Sequence, residues 1–319
     1  MNRRHFIQLA TLTSAGFALS GTCAFADWKV RRPVNIILPY KAGGGTDSYA
    51  RAVASAGDGL FPVPFVVVNK PGSSGMVGAT EAARGRPDGT TVLLTSAGSF
   101  LLTSMLRDTD VTPLESFRIV AQIGKLTTSL MVPYDSPYQS LDDLVADIKA
   151  RPGQVRWAHT GNGGFHNVAG QGFLDSNDLD AVGVPFKGGS ATRAAVIGEQ
   201  VSFGMIGIQQ AAGFEEQLRP LALNSDTRDT FMTDVPTFAE AGYDAVDVSS
   251  PIIVFAPKDT PDDVVAALEA ALKEITSSQA FIDAMAERGN APVYLPGAEA
   301  EANLRAMKEN AGPIISALK

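Results

Sequence analysis

An α/β fold with mostly parallel sheets is what this sequence predicts, and three observations carry the prediction. Short apolar runs rich in Val, Ile, Leu and Phe recur along the chain. Stretches of helical spacing separate them. Several runs end in loops of Gly, Ser and Thr, as a strand does where it hands over to a helix beside a ligand crevice. The strand-like runs fall at residues 34–38, 65–68, 91–95, 119–123, 129–132, 155–158, 201–205, 221–223 and 252–256.

The chain opens with a segment outside this pattern. Arg3 and Arg4 form a basic start, and residues 9–19 are modestly apolar and diluted by Thr, Ser and Gly. Ala24-Phe25-Ala26 is a small-x-small cleavage site, so residues 1–26 read as a cleavable signal peptide and the mature chain begins at Asp27. Residues 2–8 are similar to a twin-arginine signal; an ordinary secretory signal that carries two arginines is the alternative. The apolar core is too short to span a bilayer and no later stretch qualifies, so the mature protein is expected to be soluble. Cys23, the only cysteine, lies in the leader, and Ser20-Gly21-Thr22 before it fits a lipid-attachment site poorly. Cleavage after Ala26 leaves no disulfide, thiol nucleophile or Cys-based metal site.

Composition narrows the partners. The 319 residues include 26 Lys and Arg against 34 Asp and Glu, a net charge of −8. Removing the leader takes two arginines and no acid, which makes the mature charge −10. That balance argues against nucleic acid and anionic membrane surfaces. It leaves room for an anionic ligand, because backbone N–H groups and a few local cations suffice to bind one. Nearly 300 mature residues are enough for two domains.

Taken in order, the elements justify themselves locally. The first run, 34–38, ends at Pro39, and Gly43, Gly44 and Gly45 follow, where a backbone can turn and approach a ligand closely. Thr46 or Asp47 is expected to cap the next helix. Strand, glycine loop and helix N-terminus together make an anion site, since free N–H groups and the helix dipole favour negative charge. A glycine-rich turn without a ligand is the plain alternative. Residues 157–170 repeat the pattern, with Thr160, Asn162, Gly163, Gly164 and His166 in the loop. Residues 184–195 give a third case through Lys187, Gly188, Gly189 and Ser190, and residues 92–100 a weaker fourth through Thr95, Ser96 and Ala97. Ser140 with Asp143 is a capping-box start for a helix ending before Pro152-Gly153. Thr260, Pro261 and Asp263 start another, with Val264, Ala267, Leu268, Ala271, Leu272 and Ile275 at helical spacing. Two further helical stretches follow, one to Arg288 and one from Ala298 to the end.

Single residues are ambiguous. Lys41 and Lys187 can each pair with a ligand carboxylate through a charge-assisted bond, and each reads equally well as a solvated lysine. Asp47 suits a ligand amine or hydroxyl, though helix capping suits it better. His159 and His166 lack a third ligand and the HExxH spacing of a metal site; His166 is expected to cap or line the second glycine loop. Gly72, Gly75 and Gly78 do not make GxGxxG, Gly43 to Thr46 lacks the GK[ST] ending of a P-loop, and there is no GxSxG elbow. No cofactor is therefore expected.

Several motifs, in order and spacing, give the chain a resemblance. They are residues 39–47, Val68-Asn69-Lys70-Pro71-Gly72 followed by Gly75 and Gly78, Pro87-Asp88-Gly89, Pro185-Phe186-Lys187-Gly188-Gly189, residues 234–242, and Ala256-Pro257 with Thr260-Pro261. Over essentially the whole mature chain it resembles the extracytoplasmic solute receptors of the tripartite tricarboxylate transporter family, the Bug receptors. The resemblance implies a two-domain, Venus-flytrap periplasmic binding protein of type II. It implies crossings near 124–127 and 249–251, with domain I over 27–126 plus 250–319 and domain II over 127–249. It implies that a small carboxylate (a di- or tricarboxylate, an aromatic acid or an amino acid) binds between the four loops, with Gln209 in a further cleft-lining segment. Membrane permease subunits would be its partners, a sensor kinase an additional one, and the monomer its state. Lys41 and residues 249–252 depart from the family pattern and bear on ligand identity. A signalling co-receptor is the alternative function; a periplasmic enzyme is another, for which no nucleophile–base pair stands out.

Overall fold

The computed structural model describes residues 31–317 apart from 108, 247–249 and 291. The leader, Cys23 and the Ser249 end of the expected second crossing lie outside the described residues. The chain runs β1 (Val34–Leu38), α1 (Gly45–Gly57), β2 (Phe65–Asn69), α2 (Met76–Ala83), β3 (Thr91–Ser96), α3 (Ala97–Leu106) and β4 (Phe117–Leu126). It continues through β5 (Thr128–Pro133), α4 (Leu141–Ala150), β6 (Arg156–His159), α5 (Phe165–Ser176), β7 (Val182–Pro185), α6 (Gly189–Ile197), β8 (Phe203–Gly207) and β9 (Leu218–Asn224). Then come β10 (Ser250–Pro257), α7 (Asp262–Ser277), α8 (Gln279–Ala286), β11 (Pro292–Pro296) and α9 (Gly297–Ala317).

The strands divide into two sheets. One has the order β11-β4-β10-β3-β1-β2, the other β7-β6-β8-β5-β9. Both are mixed. β1 pairs in parallel with β2 and β3, and β6 with β7 and β8, so the glycine loops after β1 and β6 stand in parallel surroundings. The other pairings are antiparallel: β10 with β3 and β4, β11 with β4, β5 with β8 and β9. The α/β class holds, with more antiparallel pairing than strand–helix alternation led us to expect. The reason is β10, which returns from the second sheet and inserts between β3 and β4 rather than extending the parallel run.

The first sheet is buried on both faces, and residue alternation shows how. Ile36, Leu38, Leu94 and Val254 pack with Tyr49 and Val53 of α1, Leu268 and Ile275 of α7 and Phe281 of α8. Ile37, Leu93, Ile253 and Phe255 point to the other face, against Phe100 and Leu101 of α3 and Leu304 of α9. This period of two is why the runs are continuously apolar. In the second sheet, Leu130, Trp157, Phe203 and Met205 pack on α4 and α5, and Met131, Ala158 and Ile206 pack on α6. Leu102 of α3 and Ala311 and Ile315 of α9 join that second core, so two helices tie the sheets together.

Two helix starts compare instructively with expectation. At α4 both halves of the capping box form: Asp143 N–H donates to Ser140 Oγ and Ser140 N–H to Asp143 Oδ2. At α7 the cap is Pro261 rather than Thr260, whose hydroxyl is buried without a partner among the described residues. Proline already fixes the φ of a helix start, and Asp262 and Asp263 in the first turn suit the dipole.

Candidate functional site

Three helices that begin directly after strand-end loops share an unusual start. The N-cap residues of α1, α5 and α6 are Gly44, Gly164 and Gly188, and none has a side chain to accept a first-turn N–H. By contrast α3, α4 and α8 are capped by the side chains of Ser96, Ser140 and Ser278. A glycine cap leaves the positive helix end open to an external acceptor. Glycine-capped α2 follows a short turn at Ser73–Gly75 instead of a strand end.

The loop before α1 is ordered by one buried carboxylate. Asp47 is not the cap; it sits in the first turn, because Gly44 takes the cap position and the helix starts at Gly45. The same correction applies to Thr46, also in the first turn and buried. Asp47 Oδ2 accepts Gly43 N–H at 3.0 Å and Arg51 Nε at 2.7 Å, while Oδ1 accepts Asn69 Nδ2 at 3.1 Å. Asn69 Nδ2 also donates to the Tyr40 carbonyl. Burial alone would raise the Asp47 pKa, but Arg51, the Gly43 N–H and Asn69 outweigh it and hold the carboxyl below its ordinary value. Asp47 thus spends its oxygens on shaping the loop. Lys41 is exposed on the same loop and forms no ion pair among the described residues.

The loop before α5 is ordered without charge. Thr160 Oγ1 and His166 Nδ1 lie 2.9 Å apart, His159 Nδ1 lies 3.0 Å from the Gly161 carbonyl, and Gly163 N–H donates to Asn167 Oδ1 at 2.9 Å. Burial, with His159 nearby, pushes the His166 pKa down to about 4, so the imidazole is neutral. Its Nε2 is buried and has no partner within the protein among the described residues. Asn162 at the tip is exposed. His159 is buried and serves its own loop.

The four loops are not equally open. Thr95, Ser96 and Ala97 are buried, and β3 passes into α3 with no loop between them. Thr95 donates to the Tyr40 hydroxyl at 3.1 Å, and Ser96 bonds to Ser250. Lys187 and Ser190 are exposed, with Gly188 and Gly189 half-buried between them. Ser190 Oγ donates to the Gly43 carbonyl at 3.4 Å, which joins the α6 loop of one sheet to the α1 loop of the other. Gln209, in a one-turn helix at Ile208–Gln210, also crosses: a Cβ on Gly45 would lie 2.2 Å from its Nε2. Gly45 is therefore where one sheet's side chain rests on the other's helix end. A Cβ on Gly163 would meet Leu106 at the end of α3, 2.8 Å away. So α1 and α6 face each other, and the α5 loop faces α3.

Several residues in this arrangement escaped the reading of the sequence. Arg51 gave no local signal. Tyr40, Asn69 and Ser250 did, since they stand in residues 39–47, the Val68–Gly72 motif and residues 249–252, but their partners depend on strand pairing. Among the described residues no group of His, Cys, Asp and Glu is placed to hold a metal ion, and no helix is long and apolar enough to cross a membrane.

Comparison with known proteins agrees with this geometry. The family model described as the tripartite tricarboxylate transporter family receptor matches residues 49–319. Protein BugT of Bordetella pertussis is 30% identical over 272 residues, covering 84% of this chain and 83% of that protein. A solved structure described as a periplasmic transporter superposes with a TM-score of 0.82 at 27% identity, covering 89% of this chain and 96% of that one. An R. palustris protein solved with adipate superposes with a TM-score of 0.83 at 24% identity, over 90% and 98% of the two chains, which speaks to the fold.

Proposed function

This chain belongs to the tripartite tricarboxylate transporter receptor family, and from that premise we propose that it holds a small carboxylate between the glycine-capped starts of α1, α5 and α6. It is a periplasmic solute-binding receptor, not an enzyme. The single observation that carries the ligand reading is the trio of helix ends with no side-chain cap beside three helices capped by serine. Uncapped N–H groups in an acidic protein bind a carboxylate without a basic funnel.

In this reading residues 27–126 with 250–319 form one domain and 127–249 the other. The division of strands between the two sheets supports those bounds. One domain takes the anion first, and closure brings the second domain's loops onto it and excludes water. The Ser190–Gly43 bond and the seat of Gln209 on Gly45 are the closing contacts. Lys41, exposed at the rim, tunes which acids fit. Gly43, Gly44, Thr160, Asn162, Gly163, Gly164, His166, Lys187, Gly188 and Gly189 supply the surrounding cradle. Thr95, Ser96 and Asp47 support it from behind. The leader sends the chain to the periplasm, by the twin-arginine route or the ordinary secretory one, and the mature monomer delivers its ligand to the membrane subunits of the transporter.

A thermal-shift screen of mono-, di- and tricarboxylates on the mature protein should single out one class, and incubation should return that compound intact. Turnover of the compound would end the receptor reading. Gly164→Val should crowd the Gly161 carbonyl, which would lie 3.2 Å from even a Cβ, and weaken every acid. Lys41→Ala should reorder the acids, costing about 1.5–3 kcal/mol for one that bonds the lysine directly. Normal calorimetric binding by Gly164→Val would show that the cradle is misplaced.

A further inference from the structure

Two consecutive glutamines serve two of the three glycine-capped helices. The one-turn helix at Ile208–Gln210 sends Gln209 to Gly45 of α1 and Gln210 to Gly189 of α6. A Cβ on Gly189 would stand 3.3 Å from Gln210 Cδ and 3.5 Å from its Oε1, so the carboxamide lies along the first turn of α6. Gln210 is only 5% exposed. Its oxygen has a partner, since Arg193 Nη1 donates to Oε1 at 3.2 Å. Its nitrogen donates no hydrogen bond among the described residues, and it is not sealed from solvent.

The guanidinium is itself held in place. Arg193 Nη1 lies 3.5 Å from the Gln210 carbonyl, and Cζ stands 3.9 Å from the centre of the Phe214 ring, a cation–π seat. No carboxylate pairs with Arg193 among the described residues. A guanidinium has donors only, so the carboxamide beside it must present its oxygen. That settles which way the Gln210 amide is turned. Arg193 stands one turn beyond Gly189 on α6, and an amide whose oxygen faces Arg193 turns its nitrogen the other way, toward the helix start. There the main-chain N–H groups are also without a side-chain cap. A largely buried donor without an acceptor costs free energy, which an incoming acceptor restores.

Resting on the carboxylate reading of the cleft, we propose that Gln210 Nε2 is a side-chain donor to the ligand carboxylate at the start of α6, and that Arg193 is the positioning residue that keeps this nitrogen turned toward it. Arg193 acts through Gln210 and does not touch the acid.

Calorimetry of the mature protein with acetate, benzoate, succinate, citrate and L-glutamate selects an acid that binds, and the variants are titrated with that acid. Gln210→Glu puts a carboxylate oxygen where the nitrogen stood and gives Arg193 an ion pair. Affinity should fall at least about tenfold, the scale of one hydrogen bond to a charged group, while the urea midpoint holds or rises. Gln210→Ala should show a similar loss. Arg193→Met keeps an apolar contact with Phe214 but frees the carboxamide to flip, and should weaken the acid by about three- to tenfold. Added to Gln210→Ala, the same methionine should cost less than about twofold more, because its effect passes through the glutamine. A merely structural Arg193, or one acting on the acid by its own charge, would cost as much in the double variant as alone. If Gln210→Glu folds poorly, the alanine and double variants decide. The proposal is overturned if Gln210→Glu, folded, binds within about twofold of the wild type, or if the two single losses multiply in the double variant. Failure of the carboxylate reading looks different: none of the five acids then binds the wild-type protein, which overturns both.

Discussion

The α1 loop of the first sheet and the α5 loop of the second share one local plan, strand then glycines then helix, and keep their shapes by different chemistry. The first hangs on a buried ionised carboxylate, Asp47, shared by a main-chain N–H, a guanidinium and an amide. The second hangs on neutral groups, the His166 imidazole with Thr160 and the Asn167 amide with Gly163. A glycine loop is free to bend, so something outside its glycines must choose one bend. The two sheets made that choice separately, and the two loops are therefore vulnerable to different perturbations.

The sharpest way to break the comparison is Asp47→Ala. It removes three acceptor contacts, and Arg51 is half-exposed and rehydrates, so the loss comes mostly from Gly43 N–H and Asn69. We expect up to about 4 kcal/mol of lost stability by urea unfolding, with the α5 loop unchanged in amide-exchange protection. A loss below about 1 kcal/mol would mean that the carboxylate does not order the first loop.

Acid should separate the loops next. Between pH 6.5 and about 4 the unfolded chain binds a proton on residue 166 that the folded chain refuses. Stability should fall across that window as pH falls, by about 3 kcal/mol in all. His166→Gln should flatten the slope there. The Asp47 contribution runs through a lower window: it is complete above the ordinary carboxylate pKa and is lost as pH falls through the lowered one. A urea-midpoint series from pH 7 to pH 3 on both variants checks each slope.

Core seats sharpen the comparison further. In the first sheet the Tyr49 ring rests on Gly124, where a Cβ would lie 2.1 Å from Cε1. In the second, the Trp157 ring rests on Gly170, with a Cβ 2.3 Å from Cζ3. Gly170→Ala should cost about 2 kcal/mol in thermal unfolding, since a fully buried indole has nowhere to retreat. Ser190→Ala should do least. Its bond to Gly43 is long and exposed, so stability should change by less than about 0.5 kcal/mol, and the effect should show as a faster ligand off-rate.

Much of this was legible along the chain because it is local. The Ser140 box needs only three residues of separation, and the glycine loops announce themselves by composition. The nine apolar runs mark strands because both faces of each sheet are covered. What stayed hidden depends on pairing. β11 is five residues that begin and end in proline, an edge strand that exists because β4 offers it a partner. Asn69 reaches Asp47 only once β2 lies beside β1.

The insertion of β10 between β3 and β4 also fixes the order in which the molecule can be made. The second sheet is contiguous, from β5 to β9, and a growing chain can complete it without waiting. The first cannot close. β1, β2 and β3 can align as they emerge, but β3 and β4 each keep an open edge until the ribosome has delivered everything through β10. The unfinished edges are apolar and able to template pairing with other chains. The later-numbered sheet should therefore mature first, and the nascent protein should need shielding for as long as it takes to synthesise its own second half.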